Sequence, residues 1–136
     1  AISPENDNMQ KMLERLKEQA DSLSHSFATS VNILVEPNVE RLDLDMKLRQ
    51  DIYWLLKSGI TNISRMDGKD LRIHIALEKT FLLCTLEFKN SRMNLQQFNN
   101  LLQRQELESK LKEVKGKLSF ETVNENSVIE LKVPVQ

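Results

Sequence analysis

Between residues 48 and 66, Leu48, Ile52, Leu55, Leu56, Ile60 and Ile63 recur at spacings of three and four. That spacing puts them on one face of a helix. Asp45 stands in front as an N-cap, and Asp67-Gly68 is a turn signal at the far end. Ser58, Thr61, Asn62 and Arg65 form a second, polar stripe on its last two turns. Upstream, Met9, Met12, Leu13, Leu16, Ala20 and Leu23 keep the helical period to about residue 24. Ser3, Pro4, Glu5, Asn6 and Asp7 are a helix-start cluster: small polar caps, a proline for the first turn and acids at the positive end. Residues 24–30 read as a polar link. Val31, Ile33 and Val35 alternate with polar neighbours, which predicts a strand over 31–35, closed by Pro37-Asn38. Residues 38–44 read as a loop.

Past Gly68 the period changes from helical to two. Leu71, Ile73, Ile75 and Leu77 alternate, and so do Leu82, Cys84, Leu86 and Phe88. Glu78-Lys79-Thr80 between them is short enough for a hairpin. Phe81 and Leu83 make the second strand apolar on both faces, the pattern of an inner strand covered on both sides. The helical period returns over 95–114, but Leu95, Phe98, Leu101 and Leu102 are out of phase with Leu107, Leu111 and Val114. A break near 103–105 follows. Gly116 reads as the C-cap. Residues 117–123 and 127–135 read as two strands joined by Asn124-Glu125-Asn126, with Pro134 at a strand end. Helices and a mixed, mostly antiparallel sheet must bury each other's apolar faces. The fold class is therefore α+β, a two-layer α/β sandwich with about three helices over the sheet.

Composition narrows this picture. The chain has 136 residues, enough for one core-forming domain, and 40% of them are hydrophobic. Nineteen basic against twenty acidic residues give a net charge of -1, without the basic face that nucleic-acid binding needs. No apolar run approaches the roughly 20 residues of a membrane span, and no signal peptide is seen. A single cysteine, Cys84, excludes an internal disulfide, and with two distant histidines it lacks zinc-ligand spacing. The polar beginning at Ala1 reads as the middle of a longer sequence, so residues 1–136 are expected to be one excised domain: 1–24 a linker and first helix, 31–136 the rest of the sandwich.

Three stretches carry a resemblance to a known family. ISPENDNMQKMLERLKEQA resembles the segment that joins the dimerisation helices to the ATP-binding domain in two-component sensor histidine kinases. IYWLLKSGITNISRM resembles that family's N-box helix, "IYxIxKEAxNNxxKHA". EVKGKLSFETVNENSVIELKVPV resembles its closing strands. The resemblance spans the chain in order and implies the histidine-kinase-like ATPase sandwich (GHKL, Bergerat-type). It further implies Mg-ATP as cofactor if the domain is active. Its partners would be the phosphoacceptor and dimerisation helices of the parent chain and a response-regulator receiver domain. The parent would be a homodimeric, membrane-anchored sensor with this domain in the cytoplasm, and nucleic acid and membrane contact are not expected.

The chemical positions depart from the family pattern. The N-box acid is Ser58 here, and a hydroxyl cannot replace a carboxylate as a base at neutral pH. Asn62 keeps the family's magnesium-holding asparagine, Arg65 stands at the phosphate-reaching lysine, and Met66 at the histidine. Asn90 stands where the family's Asp accepts from the adenine amino group, followed by Arg92 and Asn94 where it has glycines. The phosphate-cradling glycine turn should fall near 101–106, and no glycine is there. The resemblance thus marks Asn62, Arg65 and Asn90 as a vestigial nucleotide site, with Asn62 as the magnesium position and no catalytic residue. Each has an ordinary reading too: Asn62 a polar helix residue, Arg65 a favoured cation at a helix C-terminus, Asn90 a common turn residue. His25 and His74 read as surface residues, and Cys84 as a small buried apolar one. Two functions follow: a degenerate kinase domain acting as a signalling and docking module, with the Leu/Met face of residues 9–23 as its docking surface, or an active kinase domain phosphorylating a histidine elsewhere in the parent.

Overall fold

The computed structural model describes residues 8–89, 95–102 and 104–135. Helix α1, Met9–Phe27, starts at Asn8, whose side-chain oxygen accepts from the Lys11 amide at 2.9 Å. The expected cap cluster at 3–7 lies outside the described residues. The helix runs past residue 24 to Ala28, which closes it in the left-handed conformation (φ 50°). Ser24 was expected in a link but sits within the helix. Its hydroxyl donates to the Ala20 carbonyl at 3.0 Å and accepts from the Val31 amide at 3.1 Å, which ties α1 to the strand that follows.

That strand, β1 (Val31–Val35), leads through a 3-10 turn at Pro37–Arg41 into α2, Met46–Arg65. Asp45 caps α2 as expected, accepting from the Leu48 amide at 2.8 Å. Strands β2 (Lys69–Glu78) and β3 (Phe81–Lys89) form the hairpin. The expected break separates α3 (Leu95–Leu102) from α4 (Gln105–Val114), and β4 (Lys117–Val123) and β5 (Asn126–Pro134) close the chain. At the end of α4 the left-handed residue is Lys115 (φ 56°), so the C-cap is Lys115 and not Gly116.

The five strands lie in the order β1-β2-β3-β5-β4. Only the β1–β2 pair is parallel, with Val31 against Leu71 and Val35 against Ile75. Residues Leu71, Ile73 and Ile75 of β2, Leu82, Cys84, Leu86 and Phe88 of β3, and Ile129, Leu131 and Val133 of β5 are all buried on one face. α1 and α2 lie on that face, burying Met9, Met12, Leu13, Leu16, Ala20 and Leu23 from α1, and Ile52, Leu55, Leu56, Ile60 and Ile63 from α2. The two-layer mixed sandwich expected from the period changes is therefore the observed one.

Two expectations are corrected. The Leu/Met face of α1 is not a docking surface, because the protein's own core takes it; Leu16 is 0% exposed. An amphipathic helix next to an uncovered apolar sheet gains most by packing there itself. The second face of β3 is also not covered. Phe81 and Leu83 are half-buried, and Phe81 is roofed by the Lys132 ammonium 4.3 Å from the ring centre. The other sheet face is open, with Leu34 64% exposed on the edge strand β1. Among the described residues no helix is long and apolar enough to cross a membrane.

Candidate ligand cleft

A cavity of about 270 Å³ opens between α2, the sheet and the start of α4. Its α2 wall follows from helical spacing. Trp54, Ser58 and Asn62 are four apart and form one stripe, while Leu55, Gly59 and Ile63 form the adjacent one. The sheet wall is Leu86 of β3, Leu118 of β4, and Ile129 and Leu131 of β5; Arg104, Glu106 and Leu107 close the rim from α4. The space exists because α2 carries its smallest side chains here. Among the described residues a Cβ built on Gly59 would meet only the Leu86 Cδ2, at 3.6 Å.

The second half of α4 is held to the first turns of α2 by charge. The Asp51 carboxylate on α2, with its side chain 4% exposed, accepts from Lys47 at 2.8 Å and from Lys110 of α4 at 3.0 Å. Lys47 also bonds Glu113 of α4 at 2.7 Å. Burial pushes the Asp51 carboxyl up, but the hydrogen bonds from Lys47 and Lys110 outweigh it, and the net direction is down. The same bonds, to Asp51 first and Glu113 second, push Lys47 above its ordinary value.

The polar stripe expected on α2 divides. Ser58 and Asn62 line the cleft. Thr61 turns to α1, where its hydroxyl accepts from Gln19 at 3.4 Å and donates to the Lys57 carbonyl at 2.8 Å. Arg65 is exposed and is not in the lining. It shares the angular position of Ser58 but sits seven residues on, about 10 Å along the helix axis. Asn90, with the neighbouring 91–94, lies outside the described residues. His25 is exposed at the end of α1, and His74 faces Glu36 at 2.8 Å. Cys84 is buried, and desolvation pushes its thiol up to about 12, so it is a core residue and no nucleophile. None of these three lines the cleft. Arg104 and Glu106 fall in the 101–106 stretch where the resemblance set the phosphate turn, though neither was named for the site. Trp54 and Leu118 were missed; Trp54 was findable, since it stands four residues before Ser58, while Leu118 depends on how β4 folds back.

This arrangement of helices and sheet recurs in solved structures. The nucleotide-free catalytic domain of histidine kinase ThkA superposes with a TM-score of 0.73 at 13% identity, covering 95% of this chain and 93% of that one. The Acinetobacter baumannii histidine kinase AdeS gives a TM-score of 0.74 at 12% identity, over 95% of this chain and 66% of that one. The histidine kinase domain of the Erythrobacter litoralis blue-light activated kinase EL346 gives 0.66 at 12% identity, over 91% and 61%. The fold is the histidine-kinase ATPase sandwich. No family model matches the sequence, and neither does any curated protein.

Within that sandwich the cleft is mostly apolar among the described residues. Nine of its described lining residues carry apolar side chains, and Ser58, Asn62, Arg104 and Glu106 are the polar ones. Arg104 is the one cation in that lining, with Glu106 two residues away. Phosphates are held by clustered cations or converging backbone amides, and a reacting hydroxyl needs a nearby carboxylate or imidazole. The described lining offers the Ser58 hydroxyl and, at the rim, the Glu106 carboxylate. Among the described residues no group of three or more His, Cys, Asp or Glu is placed to hold a metal.

Proposed function

We propose that this chain is the ATP-binding-type domain of a two-component sensor histidine kinase, retained as a signalling and docking module and no longer transferring phosphate. The observation that carries the reading is the cleft wall. Asn62 is kept and points the comparison to a nucleotide site, yet the acid position four residues earlier is Ser58 and the surrounding wall is apolar. Binding can survive the loss of one group; transfer needs its base and its charge partners together. The partners are the dimerisation helices of the parent chain or a receiver domain, and the parent is a homodimeric sensor anchored in the membrane with this domain in the cytoplasm. With the Leu/Met face of α1 buried, docking uses other surfaces.

A second reading, an active kinase domain, is favoured by one observation: Asn62 lines the cleft beside Arg104 and Glu106. Thermal unfolding with and without about 1 mM Mg-ATP or Mg-ADP separates the two. A ligand at about 100 times its dissociation constant adds about 2.7 kcal/mol. The expected result is no shift. A magnesium-dependent shift of several degrees, lost in Asn62→Ala, overturns the docking-only reading, and phosphohistidine on the parent chain would establish the kinase.

A further inference from the structure

We propose that the cleft is a binding site for an uncharged, largely apolar molecule of one or two rings, with a single hydrogen-bonding group directed at Ser58 and Asn62. The inference rests on the reading above that the cleft carries no phosphate chemistry. Three observations lead to it. The first is size. Apolar cavities of about 150 Å³ take a benzene-sized guest, and drug-sized pockets begin near 300 Å³. At about 270 Å³ this cleft has room for more than one ring and little beyond two. The second is chemistry. Trp54, Leu86, Leu118 and Ile129 line the cleft with apolar side chains, and Gly59 adds none of its own. Ser58 and Asn62, one helical turn apart on the same stripe, supply neutral donors and acceptors at one place in that wall. The third is charge. Among the described residues the lining carries one arginine and one glutamate, which balance, so its apolar wall favours a neutral guest by desolvation.

The test uses the chain as it stands, with 2-naphthol as the neutral two-ring probe and Mg-ADP as the charged one. Trp54 is the only tryptophan and lines the cleft, so its single indole N–H resonance is an assignable reporter beside it. The expected result is a saturable shift of that resonance with 2-naphthol, matched by heat in calorimetry, and no shift with Mg-ADP. Because Gly59 lines the cleft and, among the described residues, a Cβ there meets only Leu86 at 3.6 Å, Gly59→Ala, Gly59→Val and Gly59→Leu plug the cleft in steps. Affinity should fall along that series, by about tenfold or more at leucine, while far-UV circular dichroism reports that each variant is folded. If Gly59→Leu does not fold, the alanine and valine variants still order the series. No Trp54 shift with 2-naphthol overturns this proposal and leaves the docking reading standing. Equal affinity for the wild type and the plugged variants overturns it too, since the probe then binds elsewhere. A magnesium-dependent shift with ADP overturns the docking reading, and with it the charge argument made here.

Discussion

Two glycines near α2 play opposite parts, and their substitutions should have opposite signs. Gly59 lies inside the helix, where glycine costs about 1 kcal/mol relative to alanine through backbone entropy. Among the described residues its added Cβ meets only Leu86, at 3.6 Å, an ordinary contact. Gly59→Ala should therefore stabilise the protein by about 0.5–1 kcal/mol, read as a rise of roughly 2–5 °C in the unfolding midpoint. A fall would mean that the cleft is filled at that point. Gly68 follows α2, and its amide bonds the Ile63 carbonyl at 2.9 Å. A Cβ there would lie 2.4 Å from Ile63 Cγ2 and 2.9 Å from the Ile63 carbonyl oxygen. The left-handed residue of that turn is Asp67 (φ 64°), so Gly68 is needed for close approach and not for its dihedral freedom. Gly68→Ala should cost about 1–3 kcal/mol by overpacking, measured by the same unfolding curve. A turn signal in the sequence shows that a glycine is wanted there, but which of the two demands it meets depends on Ile63 and Phe88 coming round to it.

At the scale of elements, Asp51 is what fastens α4 to α2. Its folded value is lowered, so its stabilising contribution is complete above the ordinary aspartate value of 3.8 and is lost as the pH falls through the lowered folded value. Asp51→Asn keeps the shape and removes the charge. It should cost about 1–2 kcal/mol at pH 7, because both lysines keep some access to water. The gap between wild type and variant should close as the pH is taken below 3.8. A gap that stays constant down to pH 2 would mean that packing, not charge, holds α4 in place. The elements themselves were legible because each has one buried face, and so one clean period: the residues of α1, α2, β2 and β5 could be assigned to a side by counting. β3 was misread on its outer face because Phe81 and Leu83 satisfy themselves locally, Phe81 under Lys132, without a second layer. The cleft was half legible. Ser58 and Asn62 stood out from the N-box resemblance, and Trp54 lies on the same stripe. Arg104 and Glu106 fall in the 101–106 stretch that the resemblance marked and beside the break that the spacing encodes, but their place over α2 depends on the Asp51 tie, and Leu118 comes from a distant strand; local spacing encodes neither of these.

At the scale of the whole molecule, the burial of α1 makes it part of the cooperative unit. Its resemblance to a connecting segment suggests a helix that could come away, whereas its burial describes a structural wall. α1 packs on α2, on β1 and on the 3-10 turn, and Leu16 at its centre is 0% exposed. Removing three buried carbon atoms there leaves a void that the sheet cannot collapse to fill, since β1 and β2 are fixed in register through Val31–Leu71 and Ile33–Ile73. Leu16→Ala should therefore cost about 2–4 kcal/mol. The decisive property is how the loss is distributed. Trp54 emission follows α2 and the cleft, while far-UV circular dichroism follows every helix, including the 19 residues of α1. If α1 is integral, both signals should move to lower urea together and trace one transition in the variant, as in the wild type. If the dichroism falls first and the Trp54 signal keeps its original midpoint, α1 is a detachable helix whose buried face is exchanged for another surface. A domain of this fold that docks on its parent's helices through α1 would have to show that second behaviour; one that docks elsewhere would show the first.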